Sequence, residues 1–107
     1  VLDDAAPQYA TLKDYQYSAS VYDICGANPR NCRPPGEWNT LEINRTANQV
    51  TTVHNGQIVV NITNESHPLL ALRKTNGFLG LQNHSTVVTF RNLRIGPAMD
   101  YPKPAAQ

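Results

Sequence analysis

At 107 residues the chain has room for at most one domain of ordinary size. A formal charge of +1, with Lys and Arg scattered along the chain, gives no electrostatic footprint for nucleic acid or an anionic membrane. No apolar run approaches the roughly 20 residues that a bilayer-spanning helix needs, and any signal peptide is expected to lie upstream of Val1.

Taken in chain order, residues 1–12 read as a strand end running into a loop. Tyr15 to Tyr22 alternates like a strand whose Tyr rings are buried and whose hydroxyls stay wet. The next stretch, Cys25-Gly26-Ala27-Asn28-Pro29-Arg30-Asn31-Cys32, is rich in turn residues. It predicts a local Cys25–Cys32 disulfide in an oxidising compartment, adding at best roughly 2–3 kcal/mol. Two thiols at this spacing with no nearby His do not make a tetrahedral metal set, so no metal and no cofactor are expected.

Pro34-Pro35-Gly36 breaks the chain before a strand from Trp38 to Ile43. Trp38, Thr40 and Glu42 fall on one of its faces, Leu41 and Ile43 on the other. Val50 to Val53 and Ile58 to Ile62 flank His54-Asn55-Gly56-Gln57, a hairpin signal because Asn and Gly both tolerate positive φ. Asn61, Asn64 and His67-Pro68 mark the end of that hairpin. Phe78 to Leu81 is a short strand and Val87 to Ile95 a closing one, with a bulge at Arg91-Asn92 to reconcile its two halves. Gly96-Pro97 ends the sheet, and residues 97–107 form a Pro-rich extended tail. No helix is predicted, since β-branched residues dominate the patterned segments.

The sum is an all-β chain of about six antiparallel strands. Four sequons, at Asn44, Asn61, Asn64 and Asn83, exceed what chance placement gives. With the two cysteines they predict an extracellular or cell-surface glycoprotein, or a periplasmic one if the source is bacterial.

The succession Pro35-Gly36-Glu37-Trp38-Asn39-Thr40-Leu41-Glu42-Ile43, the Asn-Gly hairpin, Gly80-Leu81-Gln82-Asn83-His84 and Val88 to Ile95 resembles the C-terminal half of the 3-keto-disaccharide hydrolase domain, over residues 1–96. The resemblance implies a concanavalin-like jelly-roll β-sandwich, present here in part. It also implies a sugar site that includes a Glu-x-Gln strand opening, which would precede Val1. Where the family usually carries Gly-Leu-Gln-Asp-His, this chain has Asn83 in place of the carboxylate. Gln82 and His84 are then the candidate catalytic residues, with His84 able to exchange a proton near neutral pH.

Other candidates read as structural. His54 and His67 are expected in solvent, and Glu37 and Glu42 as unpaired surface charges. Trp38 is expected to pack at the sandwich rim rather than stack on a sugar. Asp3 and Asp4 are weak evidence for a cation.

Two functional readings follow. One is a glycosylated, structural or carbohydrate-associated jelly-roll module that belongs to a larger assembly or filament. The other is an active hydrolase of 3-keto-glycosides, completed by residues outside this chain. Six strands with open edges need cover from a missing N-terminal half, a partner chain or a neighbouring copy.

Overall fold

Two β-branched runs around Asn55-Gly56 organise the molecule. The computed structural model describes residues 6–74, 76–82, 87–99, 101 and 102. Its one sheet has three antiparallel strands in the order β1 (Leu41–Arg45), β2 (Gln49–His54) and β3 (Gln57–Thr63). The architecture is all-β, as the sequence predicts. The turn between β2 and β3 has φ of 50° at Asn55 and 81° at Gly56, the paired left-handed conformation of a two-residue hairpin. Asn55 also fastens the turn to the approach of β1. Its Oδ1 accepts from Thr40 N–H at 2.8 Å, and its Nδ2 donates to Asn39 Oδ1 at 2.9 Å and to the Asn31 carbonyl at 2.6 Å.

Strand pairing sorts the side chains onto two faces. Val50 lies opposite Ile62, and Thr52 opposite Val60, so these four share the apolar face. The N-terminal segment covers it. Ala19, Val21, Ile24 and Cys25 pack on a core of Ala27, Val50, Val59, Val60, Ile62 and Leu70. Thr52 is buried without loss, because its hydroxyl donates to the Ala19 carbonyl at 2.9 Å. A single helical turn, α1 (Pro68–Ala71), brings Leu70 down onto the core.

One irregularity links sheet and cover. Thr52 faces Val60 and Val53 faces Ile58, so Val59 is an extra residue in β3. This bulge turns both Val59 and Val60 into the core. It also leaves the Val59 carbonyl to accept from Asn28 N–H at 2.9 Å.

Several expectations are corrected. Tyr15 to Tyr22 is not a strand. Asp14–Gln16 is a 3-10 turn in which Gln16 Oε1 accepts from Lys13 N–H, and Ala19 takes a φ of 67°, which bends the chain back. A second 3-10 turn, Pro7–Tyr9, occupies the expected loop. The first strand starts at Leu41 rather than Trp38, because Asn39 spends its side-chain oxygen on Arg33 N–H and Asn55. Among the described residues, Phe78 to Leu81 and Val87 to Ile95 enter no ladder. Against about six expected strands, the described residues form three. The expected bulge near Asn92 is a left-handed residue with φ of 55° outside any strand. His54 is not solvated but fully buried, because it shares the covered face with Val50 and Thr52. α1 escaped detection because one turn is too short to show a helical period.

The N-terminal cover tolerates no extra bulk at Gly26. A Cβ there would lie 2.8 Å from Asp14 Cβ and 3.0 Å from the Asp14 carbonyl carbon and oxygen. Gly26→Ala is expected to cost about 1–3 kcal/mol, read as a lower urea midpoint at unchanged slope.

Candidate functional site

The face of the sheet opposite the core is polar except where Val53 pairs with Ile58. Asn44 pairs with Thr51 across β1 and β2, and Thr51 pairs with Asn61 across β2 and β3. Side chains of paired residues project to the same side, so strand register alone sets Asn44, Thr51 and Asn61 in a row across three strands. Gln49 joins the row from β2. Its Nε2 donates to Asn61 Oδ1 at 2.7 Å, and Thr51 Oγ1 donates to the same oxygen at 3.3 Å. Glu42 stands two residues before Asn44, on the same face.

The C-terminal segment lies across this row. Asn44 Nδ2 donates to the Met99 carbonyl at 2.6 Å, and Met99 N–H donates to Asn44 Oδ1 at 2.6 Å. The Asn44 amide thus imitates one rung of a β-ladder. The Tyr101 hydroxyl donates to Glu42 Oε2. The Pro102 carbonyl accepts from Asn61 Nδ2 at 3.0 Å and from Gln49 Nε2 at 3.2 Å. The bond to Glu42, with burial and the carboxylate charge behind it, holds the Tyr101 hydroxyl above the usual tyrosine pKa. The tie therefore survives at neutral pH and is lost as pH rises past the tyrosine range near 10.

Beside the row runs a groove of about 610 Å³ between β1 and the Asn92–Met99 segment. Glu42, Asn44, Arg45, Asn92 and Arg94 supply its polar groups. Its size falls in the range of small-molecule sites, roughly 300–1,000 Å³. Glu42 and Asn44 belong to both row and groove, so the two form one continuous surface. The Arg91 guanidinium, next in sequence to Asn92 of the groove wall, stacks 3.9 Å from the Trp38 ring centre. Trp38 stays 41% exposed, held by Arg91 rather than packed in a core.

The residues singled out from the sequence fare unequally. Gln82 is exposed and outside any strand, while Asn83, His84, Asp3 and Asp4 lie outside the described residues. Asn44 is buried, and its amide is committed to Met99. Asn61 is half-buried within the polar row. Asn64 sits past the end of β3, its Nδ2 reaching the Ala47 carbonyl at 3.3 Å. Cys25 and Cys32 are half-buried thiols not joined to each other, and burial pushes the Cys25 thiol up. Cys25 Sγ lies 3.5 Å from the Gly26 carbonyl, within its own turn. His67 is half-buried at the start of α1, with Nδ1 3.0 Å from Ser66 Oγ. Among the described residues, no three His, Cys, Asp or Glu side chains gather into a metal-binding group. No described helix is long and apolar enough to cross a membrane. Sequence reading missed the polar row, because its members are scattered over twenty positions and meet only through register.

Compared with known proteins, the chain matches the model of the 3-keto-alpha-glucoside-1,2-lyase-like domain over residues 1–96. It belongs to that family. A family relative, the 3-keto-disaccharide hydrolase of Bacteroides thetaiotaomicron, is 31% identical over 126 residues, an alignment covering 85% of this chain and 43% of the relative. The chain therefore spans less than half the length of the curated relative that it matches. No solved structure matches it.

Proposed function

We propose that this chain is a carbohydrate-associated module of the 3-keto-disaccharide hydrolase type, with the sugar lying along the groove and the polar row. The supporting observation is the row itself. Asn44, Gln49, Thr51 and Asn61 offer amide and hydroxyl groups, and Glu42 a carboxylate, on one face in a chain of this family. Amides donate and accept, as a polyol requires, and a carboxylate accepts from hydroxyl groups. In this reading Asn83 replaces the carboxylate of the family motif, so turnover is weak.

The second reading is an active hydrolase of 3-keto-glycosides, with His84 and Gln82 completed by residues outside these 107. The name of the Bacteroides relative favours it. Turnover of a 3-keto-α-glucoside by the native protein separates the two. The module reading expects slow or no hydrolysis, raised in Asn83→Asp. Fast native hydrolysis abolished in His84→Ala would establish the enzyme instead.

The setting we propose is extracellular, with N-linked glycan and with Cys25 and Cys32, separate thiols in this structure, closing to a disulfide on oxidation. A sequon is usable only where its amide can reach solvent, which leaves the buried Asn44 behind the half-buried Asn61 and Asn64. Peptide mapping of natively produced protein is expected to find glycan at Asn64 before Asn44. It is also expected to find both cysteines alkylated only after reduction. Unmodified sequons and readily alkylated thiols would remove the extracellular assignment.

A further inference from the structure

The polar row is a surface of hydrogen-bonding groups already satisfied by the chain's own C-terminal segment. Met99 and Pro102 meet it through backbone groups, and Tyr101 through a hydroxyl. These are the kinds of group that a sugar presents: hydroxyl donors and oxygen acceptors. The contacts are spaced across all three strands, from Glu42 and Asn44 on β1 to Asn61 on β3. The segment therefore spans the row instead of touching it at one end. Met99 also forms part of the wall of the groove. If this segment lifts away, the groove opens sideways onto Gln49, Thr51 and Asn61.

We propose that Met99, Tyr101 and Pro102 form a strap that competes with sugar for the polar row, so that sugar binding requires displacement of the strap. This rests on the reading of the row as a carbohydrate site. Displacement exchanges like for like. The Asn44 amide, the Gln49 and Asn61 amides and the Glu42 carboxylate each trade a strap partner for a sugar hydroxyl, so no buried polar group is left unmet. Apparent affinity is the intrinsic affinity multiplied by the fraction of molecules with the strap lifted. The strap thus sets the sugar concentration at which the site fills.

The test uses the full chain and two variants. Met99→Pro removes the N–H that donates to Asn44 Oδ1, and Tyr101→Phe removes the hydroxyl bound to Glu42. Binding of methyl 3-keto-α-glucoside is measured by calorimetry, with methyl α-glucoside as its unoxidised counterpart. The double variant is expected to bind about tenfold more tightly than the native chain, and Tyr101→Phe alone about threefold. In the native chain, carbon-13 labelling of the tyrosine rings gives a second readout: saturating sugar should return the Tyr101 titration to the ordinary tyrosine range. Equal affinity in all forms, with Tyr101 unmoved by bound sugar, overturns the strap while leaving the carbohydrate site standing. Absence of sugar binding in every form, double variant included, overturns the site and the strap with it.

Discussion

Made on their own, residues 1–107 are expected to associate in solution rather than remain monomeric. Many of its described apolar side chains are exposed. Phe78 and Val87 stand fully in water, and Leu79, Leu93 and Ile95 are more than two-thirds exposed. Leu41 and Ile43 lie on the same face of the sheet as the core, yet the N-terminal cover does not reach them, and they stay 44% and 63% exposed. Burying such a side chain is worth roughly 1.5–3 kcal/mol, so covering several of them rivals the stability of a whole small domain. The N-terminal part of the family's domain, or a neighbouring copy, would supply that cover, and head-to-tail donation that fails to close would give a filament. Light scattering on the isolated chain should show multimers, and amide exchange should show fast opening of residues 78–82 and 87–95. A monodisperse monomer protected throughout would refute this picture of a partial sandwich.

Leu70→Ala is expected to unfold the apolar side of the molecule. Leu70 is 2% exposed and is the sole buried residue that α1 contributes. It packs in the same cluster as Val59, Val60 and Ile62. Truncating a fully buried Leu costs about 2–5 kcal/mol, from lost transfer energy and the cavity left behind. A core this small has little to spare. Circular dichroism against urea should show the midpoint collapse, while Leu72→Ala, at a residue 78% exposed in the next turn, leaves it nearly unmoved.

The hairpin was legible because Asn55-Gly56 states its own backbone geometry, and the β-branched runs on either side state their period. Tyr15 to Tyr22 misled because its alternation counts tyrosines as apolar, whereas Ser20 is drawn to the Asp14 carbonyl and Ala27 N–H and folds the segment on itself. Phe78 to Leu81 and Val87 to Ile95 carry the pattern of strands but pair with no strand among the described residues. Pattern reports what a segment can pair with, not whether the partner is present. Glu42 read as a lone surface charge for the same reason. Its partner, Tyr101, lies 59 residues away in what composition marks as a tail. Asn44 and Asn61 read as glycan acceptors from their neighbours in sequence, while their neighbours in space make them rungs of the polar row.

The bulge at Val59 has a consequence for the order in which the molecule comes into being. Asn28 N–H, 31 positions earlier in the chain, waits for its carbonyl. A ribosome adds roughly 5–20 residues per second, so the N-terminal cover emerges a few seconds before the strand that it caps. The hairpin, once complete, closes within about 1–10 μs. During that interval Val21, Ile24 and Ala27 have no surface to rest on. The cover is thus the part of this chain that a nascent-chain chaperone would meet first, and β3 is the part whose arrival ends that meeting.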